Sequence, residues 1–285
     1  MNSQQWELSK DDYQLTEQLK QARVKKLLDD PELTTSRWEC VVQLIAQRMT
    51  SSREDVRSPH VWRGVAAEFL GTGLMVLVGC GACVGGKGQA ESVVQISLAF
   101  GIAVSITMWT VGHVSGGHIN PAVSFAMLVS RRISLAKAAM YVLAQCLAAT
   151  TGAGVLYGLT PGPIRGTLGA TVPHADITAA QSFTIEAILA FVWVLTLFAT
   201  SDANRADLSR GAPLATGLSV TMCHLYAVRL TGASMNPARS FGPAIVTNTW
   251  TDHWVYWFGP LLGSALAAIL YENTLALNPQ EGDLL

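Results

Sequence analysis

Hydrophobic residues gather into six runs, at about 62–84, 93–113, 135–159, 180–200, 211–229 and 253–276, and the charged residues fall mainly between them. At ~1.5 Å per residue, about 20 helical residues cross a hydrocarbon core about 30 Å thick. The runs therefore predict six transmembrane helices. Two shorter apolar stretches follow the second and fifth runs, from Pro121 to a break at Arg131 and from Pro237 to a break at Thr247. About 10 residues give roughly 15 Å of helix, half of such a core. These predict two half-helices. Residues 10–50 instead mix charged helix formers with apolar positions at Leu15, Leu19, Val24, Leu27 and Leu28, then Trp38, Val41, Val42, Leu44 and Ile45 beyond Pro31. Both pieces have helical amphipathic spacing. The expected organisation is a cytoplasmic N-terminal extension over 1–59, a membrane domain over 60–276 and a cytoplasmic tail over 277–285.

Composition agrees with a membrane class. Half of the 285 residues are hydrophobic, 14% are charged and the formal net charge is −1. That balance argues against a nucleic-acid partner. Arg53 and Arg57 precede the first run and Arg63 stands at its start, while Arg131 and Arg132 precede the third and Lys137 stands at its start. Arg205 and Arg210 lie between the fourth and fifth. The opposite connections are poorer in basic residues, with Lys87, Arg165, and Asp252 with His253. The bias places both termini in the cytoplasm. Of the five cysteines, Cys80 and Cys83 form a CxxC inside an apolar run without a second pair or a histidine cluster. They read as small core residues, so no metal or cofactor is expected.

The chain is also a repeat. Ser115–Phe125 (SGGHINPAVSF) recurs as Thr231–Phe241 (TGASMNPARSF), a shift of 116 residues that also carries Leu98, Ala99, Gly101 and Val104 onto Leu214, Ala215, Gly217 and Val220. Glu68 and Glu186 lie 118 apart, and Tyr141 and Tyr256 lie 115 apart. The repeats cover about 60–160 and 178–276. Three full spans per half is an odd number, so the second half enters from the other side and the repeat is inverted. The half-helices then meet N-terminus to N-terminus at the midplane.

In each box the asparagine (Asn120, Asn236) suits an N-cap and the proline (Pro121, Pro237) the first helical position, with Ala122 or Ala238 next. Two facing helix N-termini concentrate positive partial charge, about half an elementary charge each, which repels a cation. Asparagine oxygens used as caps leave the amide N–H groups for the oxygen of a passing neutral molecule. A water accepting from both turns its hydrogens outward, which interrupts a proton-conducting chain. Irregular backbone at membrane depth must line a cavity, so the carbonyls of Gly116, Gly117, His118, Gly232 and Ser234 are expected to form an acceptor ladder. Glu68 and Glu186 are too costly in hydrocarbon unless bonded, and are expected to anchor the two loops.

These paired Asn-Pro-Ala boxes, six spans and matched glutamates resemble the aquaporin (major intrinsic protein) family over about residues 60 to 275. The resemblance implies an all-α multi-pass fold with six transmembrane helices and two half-helices around a narrow pore, assembled as a homotetramer. It places Phe100, His224, Ala233 and Arg239 at the outer constriction, with Phe100 closing the side opposite His224. A permanent cation with several donors binds water oxygen and opposes protons and metal ions. So lined, the opening should pass water and hinder a three-carbon polyol. Ser240, where glycerol-conducting relatives usually carry Asp, favours the same reading. Ala233 replaces a cysteine common in the family and implies weak mercurial block. Val104 and Val220 face either the pore or the core.

The expected function is passive water conduction along an osmotic gradient, in a multi-pass protein surrounded by lipid at the plasma membrane. The rivals are a channel that also passes glycerol, urea or peroxide, and a junctional scaffold with a vestigial pore whose N-terminal extension binds a cytoplasmic partner. An enzyme is not expected, for no nucleophile–base pair is visible. Arg131-Arg132-Ile133-Ser134 resembles a basic-directed kinase site, which makes Ser134 a candidate phosphosite and equally a helix cap.

Overall fold

A computed structural model describes residues 52–85, 92–202 and 211–276. The chain divides into two units, Met1–Arg53 and Glu54–Leu285. Residues 1–51 of the expected extension and the whole expected tail at 277–285 lie outside the described residues. Within the second unit the helices are α1 (Pro59–Gly81), α2 (Val93–Ser115), α3 (Pro121–Val129), α4 (Leu135–Leu159), α5 (Ala179–Thr200), α6 (Ala212–Ala227), α7 (Pro237–Thr247) and α8 (Val255–Leu270). A short 3₁₀ turn follows α4, and a π turn, Tyr271–Leu275, extends α8.

Every apolar run became a helix, and α1, α2, α4, α5 and α8 with its π turn are each long and apolar enough to cross a membrane. The fifth run is the exception in length: α6 has 16 residues, about 24 Å at ~1.5 Å each. Its chain continues one further turn through Thr231 N to Ala227 O (3.0 Å) and Gly232 N to Val228 O (3.2 Å) before the backbone unwinds. The half-helices α3 and α7 have 9 and 11 residues.

Packing follows the repeat. The third span of each half covers the half-helix of the other half, α4 on α7 and α8 on α3, and α1 pairs with α4 as α5 pairs with α8. The halves are thus interlocked rather than side by side. At the centre α2 crosses α6 where a Cβ on Gly101 would strike Gly217 O and Thr221 Oγ1, and one on Gly217 would strike Gly101 O and Ser105 Oγ. Only glycine permits that backbone approach. Leu98, Ile102, Ile106 and Trp109 on α2 and Leu214, Leu218, Met222 and Leu225 on α6 are exposed, at helical spacing. An apolar outside is what a hydrocarbon solvent requires.

Candidate functional site

The two boxes fold as capped helix starts. Asn120 Oδ1 accepts from Ala122 N at 2.8 Å, while Asn236 Oδ1 accepts from Ala238 N at 3.0 Å and Arg239 N at 3.2 Å. Pro121 and Pro237 stand first in their helices. The amide nitrogens cross between repeats: Asn120 Nδ2 donates to Met235 O and Asn236 Nδ2 to Ile119 O, each at 2.9 Å. This differs from the expectation of fully free amides. One hydrogen of each pins the opposite loop, because a buried carbonyl without a donor is costly; one hydrogen remains.

The approach loops run through left-handed backbone at repeat-paired positions: Gly116 (φ 93°) with Gly232 (85°), Gly117 (64°) with Ala233 (48°), and Ile119 (46°) with Met235 (55°). A β-branched residue at positive φ is strained. The buried carboxylates hold these turns. Glu68 accepts from Ser115 Oγ (2.6 Å), His118 N (2.8 Å), Ile119 N (2.5 Å) and Gln145 Nε2 (2.8 Å). Glu186 accepts from Thr231 Oγ1 (2.6 Å), Ser234 N (2.9 Å) and Met235 N (2.7 Å). With the N–H groups turned to the carboxylates, the carbonyls of Gly116, Gly117, His118, Gly232, Ala233 and Ser234 accept no hydrogen bond from any described residue. They are the acceptors the loops have to spare.

A cavity of about 10 Å³ lies against these loops, bordered by Asn236, Ser234, Met235, His224, Arg239 and Phe100. That is about the space one water centre needs. Val104 and Val220 border it too, as do Met75 and Trp193. Ala233 is fully buried and does not border it. Phe100 and His224 are in contact at this cavity. Their rings stack at 4.5 Å and 19°, and the Arg239 guanidinium carbon lies 4.5 Å from the Phe100 centroid. Ring stacking and cation–π attraction both favour this cluster. The Phe100 ring rests on Gly79, where an added Cβ would strike Cε1.

His224 Nδ1 lies 3.0 Å from Val220 O. A carbonyl only accepts, so Nδ1 carries the hydrogen, and in the neutral ring Nε2 is left as an acceptor. Arg239 Nη1 donates to Gly169 O at 2.6 Å and reaches Cys80 Sγ at 3.5 Å. His224 Nε2 and Arg239 Nε are buried without a hydrogen-bond partner among the described residues. The residues that border this water-sized space thus carry a spare acceptor and a spare donor. The sequence passed over Met75 and Trp193, although each stands seven residues, two helical turns, after a glutamate (Glu68, Glu186) that faces a loop. Cys80, expected as core, is buried beside the guanidinium.

A second, wider cavity of about 350 Å³ is bordered by Gly116, His118, Leu197, Arg132 and Lys137 among others. Ser134 does not border it. Its hydroxyl caps α4, accepting from Lys137 N at 3.1 Å and donating to Asp55.

Comparison with known proteins adds a lineage to this geometry. The Major intrinsic protein family profile matches residues 55–271. Aquaporin-4 of Mus musculus is 47% identical over 215 residues, 74% of this chain and 67% of its own. Aquaporin-4 of Homo sapiens is 43% identical over 244 residues, 84% and 76% of the two chains. The lens fiber major intrinsic protein of Gallus gallus is 46% identical over 226 residues, 79% and 86%. Among solved structures, the aquaglyceroporin from Plasmodium falciparum superposes with TM-score 0.70 at 24% identity, covering 79% of this chain and 100% of its own, a likeness of fold alone.

Proposed function

Because the chain belongs to the major intrinsic protein family, we propose that its central cavity is a pore through which water crosses the membrane along an osmotic gradient. The protein is a membrane-embedded water channel of the aquaporin type, as its Aquaporin-4 relatives support, and its family is one of channels rather than enzymes. The observation that carries the pore assignment is the pair of cross-linked asparagine caps, Asn120 and Asn236, each with one amide hydrogen left over beside a row of unpartnered carbonyls.

In this reading water descends by exchanging partners. It donates to the carbonyls of Gly116, Gly117, His118, Gly232 and Ser234 and accepts from the asparagines. Arg239 offers donors and His224 Nε2 an acceptor at the outer constriction, with Phe100 as the apolar wall and Ala233 shaping the loop behind it. A fixed guanidinium and two converging helix N-termini set the field against protons and cations. Glu68 and Glu186 act as loop anchors. The permeant needs no cofactor. We assign the protein to the plasma membrane with both termini cytoplasmic, from the distribution of Lys and Arg. We further assign a homotetramer with lipid on its apolar outside and a partner-binding role for residues 1–59.

Stopped-flow light scattering on proteoliposomes tests the reading. Wild-type protein should speed shrinkage after a sucrose jump with a low activation energy, and should leave glycerol uptake and proton leak at the level of empty vesicles. Folded, reconstituted protein that moves water no faster than empty vesicles would instead leave the scaffold reading. Native mass spectrometry should give four copies per particle.

A further inference from the structure

Trp193 is the largest side chain on the cavity wall that neither box nor the constriction supplies. It lies on α5, 3% exposed, and borders the same space as Asn236, His224, Val104 and Val220. Its indole Nε1–H is buried and has no partner among the described residues. A buried donor left unpaired costs about 1–3 kcal/mol, so in a working protein it meets an acceptor. No described residue offers one, and the cavity it borders is the size of one water. At the repeat-related position, 118 residues earlier, stands Met75, which borders the cavity from α1. The inverted repeat thus puts a flexible thioether on one wall and a rigid, donor-bearing bicycle on the other.

We propose that Trp193 is a second selectivity element: its Nε1–H donates to a permeating water near Asn236, and its ring closes the lumen to three-carbon polyols independently of the outer constriction. This rests on the water-channel reading above. A water accepting from Asn236 and Trp193 together has both lone pairs engaged. Its hydrogens then point along the file toward the carbonyls. Size exclusion is likewise shared, so enlarging the outer constriction alone does not make a glycerol channel: a polyol that passes His224 still meets the indole.

The variants are His224→Ala, Trp193→Leu, the double variant, and Trp193→Phe, which keeps a ring and loses the donor. Each is checked for a monodisperse elution profile, reconstituted, and assayed for osmotic water flux and labelled glycerol uptake per channel. Wild type and both enlarging single variants should take up glycerol at the rate of empty vesicles. The double variant should exceed them at least about tenfold. Trp193→Phe should lower water flux by about fivefold, the scale of one lost hydrogen bond. Glycerol uptake by His224→Ala equal to that of the double variant overturns the second barrier, and unchanged water flux in Trp193→Phe overturns the donor role. Should the double variant fail to reconstitute, Trp193→Phe together with glycerol uptake by His224→Ala still decides. Wild type that passes no water sinks the channel reading and this one together, an outcome distinct from either of the others.

Discussion

The two repeats share a skeleton and differ at most of the side chains that border the constriction. Backbone devices are duplicated: the asparagine caps, the glutamate under each loop, the left-handed turns, and Tyr141 Oη donating to Ser115 O (3.0 Å) where Tyr256 Oη donates to Thr231 O (2.7 Å). Chemistry is not duplicated. Arg239 answers to Val123, His224 to Met108, Phe100 to Thr216, and Trp193 to Met75. One fold thus supplies two positive helix ends by symmetry. The charged constriction exists because symmetry is broken at a few side chains on one side.

The anchors test how equal the skeletons are. Among the described residues Glu68 has four donors, including Gln145, whose own Oε1 has no partner there. Glu186 has three, and Pro260 stands where the first repeat has Gln145. In Glu68→Gln the new amide turns an N–H toward these donors, and Gln145 can flip to present its spare oxygen. Glu186→Gln has no such neighbour. We expect the second-repeat variant to lose about 2–4 kcal/mol and the first about half of that, since removing one acceptor strands buried donors. Thermal midpoints in detergent read the difference. Equal losses would mean that Gln145 provides no relief.

Arg239 against Val123 tests the broken symmetry itself. Arg239→Val makes the constriction resemble its counterpart and should raise proton leak about tenfold, the factor given by about 1.4 kcal/mol of lost repulsion. Water flux should stay within about twofold. An unchanged leak under a pH jump would place the whole barrier at the asparagine pair. Gly79 and Leu197 form a smaller contrast of the same kind. Gly79 makes room for Phe100, whereas its counterpart Leu197 is 4% exposed and Thr216 replaces the ring. Gly79→Ala should push the ring toward His224 and cut water flux about threefold while costing about 1–3 kcal/mol. Leu197→Ala should cost about 2–5 kcal/mol as a cavity and leave flux intact, because the space it borders is the wider cavity and not the constriction.

Much of this was legible in the sequence, for a physical reason. Hydrocarbon demands long apolar helices, and a helix start in mid-membrane demands a cap, so spans and boxes stand out as patterns. The glutamates were legible because a carboxylate in an apolar run must be bonded. The asparagine cross-links were not: they join residues 115 and 117 apart, and nothing in a tripeptide tells which carbonyl its amide will meet. Met75 and Trp193 were hidden because in a helix apolar all round, lumen-facing and lipid-facing residues look alike. The stacking of Phe100 on His224 depends on Gly79, a residue on a third helix.

Ser134 offers the mildest test, and again only the first repeat has the feature. Its hydroxyl caps α4 and bonds Asp55, whereas α8 begins at Trp254 without a side-chain cap. Ser134→Ala should cost about 1 kcal/mol, the usual worth of such a cap, and leave water flux unchanged because the residue borders neither cavity. As a modification site it would exchange a hydrogen bond for repulsion, setting a phosphate of about two negative charges against the Asp55 carboxylate. Favourable charge at the helix N-terminus offsets part of that. A basic-directed kinase should then label wild type but not Ser134→Ala, with flux changed by less than about twofold and the thermal midpoint lowered. Equal labelling of the two proteins would remove Ser134 as the acceptor and leave it a cap, the role its two hydrogen bonds already account for.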